Sequence, residues 1–469
     1  MIRLLIVATT LTLTASAGDW AGFRGPNGTG TTDAHNLPSE IAPDKNVIWK
    51  IDMLPGHSSP SVSGNRIFLT AFEGDHLYTI ALDRASGKEV WRVEAPRPRK
   101  EVYDKRNSPA SPTPAADGKH VYVFFGDYGL LAYDWNGKEV WRTPLGPFNN
   151  VYGMGSSPVL VDDKVILVCD HSGGSFVIAV AKSDGKVKWK RPRTEALTGH
   201  STPVIYRPKG RNPLIIAPGS FRMDAYDATT GESVWWVYGL ASEMKSIPVL
   251  DGDKVYINGY NTPENDPGKQ IPVLPFDDVL KTWDKNHDGK ISIDESPDKR
   301  TKDYFPYTDL NRDGFLDKEE WEKFRAVMAA ENGLLAYHAN GKGDISQSGL
   351  MWKYHKAIPQ LPSTVLYDGV LYMISDAGVL STFDPATGTL HKQARLRGVS
   401  DRYYASPVAA DGKVYIASLS GTVSVLKAGP DQEIISAGKF EDEIFATPAI
   451  ADGRLYLRTR TALYSFGNK

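Results

Sequence analysis

The sequence predicts an all-β chain, an eight-bladed β-propeller with a small α-helical EF-hand insertion in blade five. Three observations carry this. A hydroxyl residue and a proline precede a short apolar run in a recurring unit. An aspartate–glycine turn ending in tryptophan recurs behind that run. A long interruption of the fifth unit holds two acidic twelve-residue loops. A repeat period of about 45 residues, with several strands per unit, is what a propeller blade requires.

The first signal runs Ser59-Pro60, Ser111-Pro112, Ser157-Pro158 and Thr202-Pro203, then Ile247-Pro248, where the hydroxyl is lost. It continues at Ser363-Thr364, without proline, then at Ser406-Pro407 and Thr447-Pro448. Each copy leads to an apolar strand pattern, as in Arg66-Ile67-Phe68-Leu69 or Val165-Ile166-Leu167-Val168. Eight copies predict eight blades, and the weaker later copies leave seven as the alternative.

The second signal is Ala81-Leu82-Asp83 through Gly87-Lys88 to Trp91, repeated at 132–141, 179–189 and 225–235. Ala336-Tyr337 reaches Trp352 by a longer turn, and Phe383-Asp384 to Gly388 has lost the tryptophan. Asp and Gly suit a tight turn, and the indole can wedge between blades that are stable only when stacked. A lone copy, Val47-Ile48-Trp49-Lys50, precedes the first unit, whereas the C-terminal strands have no such partner. Residues 46–51 are therefore expected to complete the last blade and close the ring.

The start of the chain reads as an export address. Met1-Ile2-Arg3, the apolar run Leu4 to Leu13 and Ala15-Ser16-Ala17 predict a signal peptide over 1–17. The chain is expected to be exported, periplasmic or extracellular, with no transmembrane segment in the mature form. Its one cysteine, Cys169, allows no internal disulfide. A formal net charge of −2 gives no reason to expect nucleic acid as a partner.

These motifs resemble the pyrroloquinoline-quinone-type (PQQ-like) propeller repeat family. That family includes quinoprotein dehydrogenases and an outer-membrane assembly lipoprotein. The stretch 81–91 is similar to its tryptophan-docking motif, and Asp19-Trp20-Ala21-Gly22-Phe23-Arg24-Gly25-Pro26-Asn27-Gly28 resembles the mature start of exported members. The resemblance covers 18–261 and 335–469 and implies a quinoprotein-like fold. It is weak for function, because one fold hosts many activities.

Between the two propeller portions, 18–261 and 333–469, residues 262–332 read as an EF-hand pair. In the first loop Asp284, Asn286, Asp288, Lys290 (by its carbonyl), Ser292 and Glu295 fall on the ligand positions, with Gly289 at the bend. In the second they are Asp309, Asn311, Asp313, Phe315 (by its carbonyl), Asp317 and Glu320, with Gly314 at the bend. Oxygen-only ligands at this spacing select Ca2+, and two sites are expected. Phe276 to Trp283 reads as the entering helix and Glu319 to Ala330 as the exit helix, with short helices between the loops.

In a blade, the connection between second and third strands shares a face with the blade-to-blade connection. The insert should therefore overhang the mouth where the segments before each Ser/Thr-Pro converge. Those segments carry His57, Arg106, Asn107, Tyr152, Met154, His200, Lys245, Gln360, Arg402, Tyr403 and Glu443. His57, Asn107, Tyr152, His200, Lys245, Gln360 and Tyr403 are the expected ligand mouth. No nucleophile elbow, P-loop or zinc spacing is present, and no catalytic residue is assigned. The dehydrogenases of the resembled family carry a vicinal cysteine pair beside the cofactor, which argues against PQQ in a chain whose only cysteine is Cys169. A non-catalytic scaffold gripping protein or polysaccharide is the preferred expectation, and a PQQ-dependent dehydrogenase the alternative.

Overall fold

The computed structural model describes residues 19–396 and 401–468. The expected signal peptide lies outside them. Eight sheets form the propeller among the described residues, each built on four antiparallel strands, and blade four gains a fifth. Blade one is typical, with strands Ser61–Ser63, Arg66–Glu73, His76–Asp83 and Glu89–Ala95 from axis to rim. The eighth sheet is completed by Val47–Asp52, paired antiparallel with Ala462–Gly467, so the seven-bladed alternative falls.

Burial follows position in the blade. In blade three the middle strand Phe176–Ala181 is buried at every residue, because both faces of the sheet meet a neighbour. The outer strand Val187–Pro192 is mostly exposed and buries only its tryptophan. At five of the eight junctions that tryptophan locks a blade to the next. Trp49 Nε1 donates to the Arg84 carbonyl at 3.2 Å, Trp91 to Trp135 at 3.1 Å and Trp141 to Lys182 at 2.7 Å. Trp189 donates to Ala228 at 3.2 Å and Trp352 to Pro385 at 3.0 Å. The glycine of the turn lies under the indole, and a Cβ at Gly87 would stand 2.7 Å from the Trp49 ring. Glycine is thus required by close approach as well as by its φ of +74°. The longer turn of blade five has its own use: Gly343–Asp344 adds a fifth, parallel strand beside Trp235 and Trp236 of blade four.

The hydroxyls before the inner strands form a girdle around the axis. The N–H of Ser59 donates to Thr113 Oγ1, Thr113 to Ser157 Oγ and Ser157 to Thr202 Oγ1, each at 2.9 Å. Ile247 N–H reaches Ser363 Oγ at 3.0 Å, Ser363 reaches Ser406, Ser406 reaches Thr447, and Thr447 returns to Ser59 at 3.1 Å. The one broken link, from Thr202 to blade five, falls where Ile247 replaces the hydroxyl. The girdle also corrects one repeat: blade two uses Thr113-Pro114, two residues beyond the expected Ser111-Pro112. Overlapping Ser-Pro and Thr-Pro pairs there made the register ambiguous.

The segment ahead of Val47 crosses the bottom of the ring. Trp20 bridges Val62 of blade one, Asn27 exchanges hydrogen bonds with Ile205 of blade four, and Thr31 bridges Ala409 of blade seven. Arg24 is fully buried along this path, and its Nη2 donates to the carbonyls of Thr364 and Pro407.

In blade five the chain leaves after Lys254–Gly259 and re-enters at Gly333–His338, which pair with each other. Between them lie helices α1 (Phe276–Trp283), α2 (Lys299–Thr308) and α3 (Lys318–Ala329). A single helix, α2, replaces the several short ones expected between the loops, and it holds Pro306 near its end. Ile291 and Leu316 pair in a two-residue ribbon and belong to the insert's own core of eight buried residues, with Phe276, Trp321 and Met328 among them.

Candidate functional site

Each acidic loop is folded around its own backbone N–H groups. Asp284 accepts from Asp288 at 3.2 Å and Gly289 at 3.0 Å, and Asp309 accepts from Asp313 and Gly314 at the same distances. Asn286 and Asn311 accept from the N–H of Asp288 and Asp313. Gly289 and Gly314 have φ of +80° and +86°, the bend that spares a side chain at that point. The closing carboxylates face inward. Glu295 accepts from Lys285 N–H at 3.0 Å and from Ser292 N–H and hydroxyl, which holds its carboxyl down at about 2. Glu320 accepts from Leu310 N–H at 2.8 Å and from Asn311 and Asp317. Burial dominates there and raises its pKa. Lys290 Nζ bridges to Asp313 Oδ2 at 3.1 Å, tying one loop to the other.

Among the described residues no three His, Cys, Asp or Glu groups stand close enough to hold a metal as oriented. The donors are nonetheless all oxygens, in the order a calcium loop uses, and the two closing glutamates need only turn from backbone N–H to cation. The residues present fit calcium.

The module lies over the blade face that carries the mouth. Asn149 Nδ2 donates to the Leu310 carbonyl at 2.5 Å and Ser172 Oγ reaches it at 3.4 Å. Glu319, Glu322 and Lys323 of α3 border a groove with Thr194, Leu197 and Phe221. Blades three and four therefore carry the insert that blade five supplies.

Beneath the mouth is an axial cavity of about 220 Å3. Its wall has a simple rule. The residue two places before each girdle position lines it: His57, Ser111, Gly155, His200, Lys245, Leu361, Tyr404 and Phe445. Asn107, Tyr152 and Gln360 join them, and Phe23 enters the lining from the N-terminal segment. Tyr403, expected at the mouth, is instead 1% exposed in the core between blades six and seven. Its neighbour Tyr404 takes the wall, because successive residues of an extended segment face opposite ways. Met154, three places before its girdle serine, is likewise in the core. Arg402 is exposed and does not line the cavity, and Glu443 pairs with exposed Arg460 at 3.1 Å. Sequence reasoning missed Asp104, Tyr404 and Phe445. The two-residue offset from Ser/Thr-Pro was the signal for the last two.

The cavity's charges are matched. Arg106 pairs with Asp104 and Lys245 with Glu243, each at 2.6 Å. Both cations lie over the Tyr152 ring, 5.1 Å and 5.9 Å from its centre. His57 stacks on Phe445 with centroids 4.1 Å apart, and burial plus the Arg458 and Arg460 charges hold its pKa near 4. Burial also holds His200 near 4, with Nε2 unpartnered. Cys169 is fully buried in the core between blades two and three, away from the cavity.

Comparison with known proteins agrees with this architecture. Residues 39–264 match a PQQ-type family model described as outer membrane protein assembly factor BamB. Residues 276–295 and 301–324 match the EF hand. The propeller carries PQQ-like repeats, and the insert carries EF-hands. Over 80 residues the chain is 35% identical to an endoplasmic reticulum-resident calcium binding protein of Plasmodium falciparum, covering 14% of this chain and 23% of that protein. Among solved structures, BamB from Moraxella catarrhalis superposes with a TM-score of 0.57 at 12% identity, covering 90% of this chain and 99% of that one. A europium-containing methanol dehydrogenase gives 0.60 at 11%, covering 97% and 98%. The quinohemoprotein alcohol dehydrogenase of Comamonas testosteroni gives 0.57 at 13%, covering 97% and 82%. These identities speak for the fold alone. No described helix is long and apolar enough to cross a membrane.

Proposed function

We propose that this protein is an exported, calcium-stabilised binding scaffold whose propeller mouth grips a protein or polysaccharide and performs no chemistry. The observation that carries it is the pairing within the mouth. Arg106 and Lys245 are each bound to a carboxylate, and both histidines are held neutral with no acid hydrogen-bonded behind them. A general base needs a proton to take and a partner to orient it. Aromatic faces set among fixed polar groups instead suit recognition. Export is supported by the signal-like start and the BamB-like fold.

Calcium occupies both loops in this reading, held by Asp284, Asn286, Asp288, Ser292 and Glu295 with the Lys290 carbonyl. The second set is Asp309, Asn311, Asp313, Asp317 and Glu320 with the Phe315 carbonyl. Residues 262–332 act as the inserted module, and 18–261 with 333–469 as the propeller.

A quinone dehydrogenase is the second reading, favoured by the dehydrogenase-like fold. The residues present do not fit the cofactor. The stacked pair at the mouth, His57 and Phe445, is closed on itself, and the lone thiol is remote and buried, so no disulfide can clamp a flat ring. The experiment is a binding screen of the mature protein against envelope proteins and polysaccharides, repeated with Tyr152→Ala and with Lys119→Ala on the opposite face. Loss with the first variant alone supports the scaffold. An altered absorbance spectrum and dye reduction after adding the quinone would overturn it.

A further inference from the structure

The girdle has a chemical asymmetry. Its seven hydroxyl oxygens each accept a backbone N–H from the preceding blade. None of these hydroxyls donates to any acceptor among the described residues. Each oxygen keeps a second lone pair, but its proton is wholly uncommitted, so the ring presents a set of free O–H donors. Six of the seven, Ser59, Thr113, Ser157, Ser363, Ser406 and Thr447, line the axial cavity.

Two buried cations stand directly behind this circle. Arg24 is fully buried, bonds the carbonyls of Thr364 and Pro407 next to girdle residues 363 and 406, and leaves Nε and Nη1 unpartnered. Arg458 is 1% exposed and bonds the carbonyl and hydroxyl of Ser58, next to girdle residue 59. Neither has a carboxylate partner among the described residues. A buried charge without a counter-charge is costly, and nearby negative charge relieves it.

We propose that the floor of the axial cavity is a binding site for a compact oxyanion, a carboxylate or phosphate group, received by the girdle hydroxyls with Arg24 and Arg458 supplying the field. This rests on the mouth being the ligand-binding end and names the group its deepest part takes. An oxyanion is all acceptor, so it can take several of the uncommitted hydroxyl protons at once, and its charge answers the two buried guanidinium groups. A neutral sugar can also bond these hydroxyls, but it brings no charge to offset Arg24 and Arg458. The cavity, about 220 Å3, suits one such group with a few waters, or the anionic end of a longer ligand entering past Tyr152.

The test uses the full mature protein in buffer free of competing anions. Acetate, phosphate and selenate are titrated by calorimetry against glucose as the neutral control, and crystals are soaked in selenate for its anomalous signal. The expected result is saturable anion binding, no glucose response and a selenium peak within hydrogen-bond reach of the girdle hydroxyls. Thr447→Val removes one cavity-lining hydroxyl and should weaken anion binding about fivefold, the effect of one lost hydrogen bond. A peak only at surface lysines, an adventitious ion only, overturns the proposal. So does a cavity holding water alone, or a glucose response equal to that of acetate. A uronic-acid disaccharide that binds more tightly than acetate and loses that advantage in Tyr152→Ala assigns the anion to the end of a larger ligand. Equal affinities assign a free anion. Partner binding that depends on the mouth without any anion response sinks this site and leaves the scaffold standing.

Discussion

The propeller and the helical insert solve the same problem by opposite means. A propeller blade buries its middle strands on both faces and closes on itself through Val47–Asp52 and Ala462–Gly467. Its stability is shared among eight blade interfaces, five of them with a tryptophan interlock. The insert has three short helices, one two-residue ribbon and a core of eight residues. So small a core is marginal by itself, and a bound metal is the usual supplement. The difference teaches where each region is vulnerable: the propeller at its interlocks and buried ionisable groups, the insert at its loops and its seat on blades three and four.

The interlocks should show the largest effect. Trp141 carries a 2.7 Å bond to blade three and covers the Gly185 turn. Trp141→Ala should cost roughly 3–5 kcal/mol, read as a lower denaturation midpoint of the β-signal. A loss confined to the insert would break the comparison.

Acid should act next, and on the propeller. His57 and His200 titrate near 4 in the fold, against an ordinary 6.5. The unfolded chain therefore takes up the proton first. Stability from keeping these rings neutral is complete above about pH 6.5 and falls as pH drops toward 4, by at most roughly 3 kcal/mol for each ring. Asp376, whose carboxyl burial raises, pulls the other way. Melting between pH 7 and 4 in His57→Gln and His200→Gln should show a shallower slope than in the parent. An unchanged slope would assign acid sensitivity elsewhere.

Calcium should separate the regions most cleanly. At a hundredfold excess over Kd a bound ion adds about 2.7 kcal/mol. Chelation should remove helical signal and the near-ultraviolet contribution of the Trp283–Trp321 pair, with the β-signal retained. Glu295→Gln and Glu320→Gln should each delete one of two binding events in a calorimetric titration. A cooperative loss of both regions would mean that the insert is part of the propeller's stability.

Legibility in the sequence followed the same division. The blades were readable because every copy repeats its chemistry: Ser/Thr-Pro marks the girdle, and the turn glycine marks the place where an indole lands. The calcium loops were readable because six oxygens at fixed spacing have no other common use. What escaped depended on relations between distant residues. The N-terminal segment looks like a loop, and only in three dimensions does Arg24 reach blades six and seven. Tyr403 and Tyr404 are chemically alike, and one residue of phase decides which enters the core. Ile247 looked like a lapse in the repeat. It is packed against Gly28, where a Cβ would lie 2.6 Å from Ile247 Cδ1, so the N-terminal crossing segment and the missing hydroxyl are one arrangement.

The smallest expected effect probes the seam between the regions. Asn149 Nδ2 donates to the Leu310 carbonyl, and Leu310 N–H donates to Glu320 Oε1, the closing ligand of the second loop. Asn149→Ala removes one hydrogen bond, worth about 1 kcal/mol, and leaves that carbonyl only the longer contact from Ser172. Calcium affinity at the second loop should fall about fivefold, with the first loop and the melting of the β-signal unchanged. The change should show as faster amide exchange in α2 and the second loop. Equal weakening of both loops would mean that the ribbon joining Ile291 and Leu316 carries the strain across the pair. No weakening would mean that the seat on blade three merely positions the insert and leaves its calcium chemistry alone.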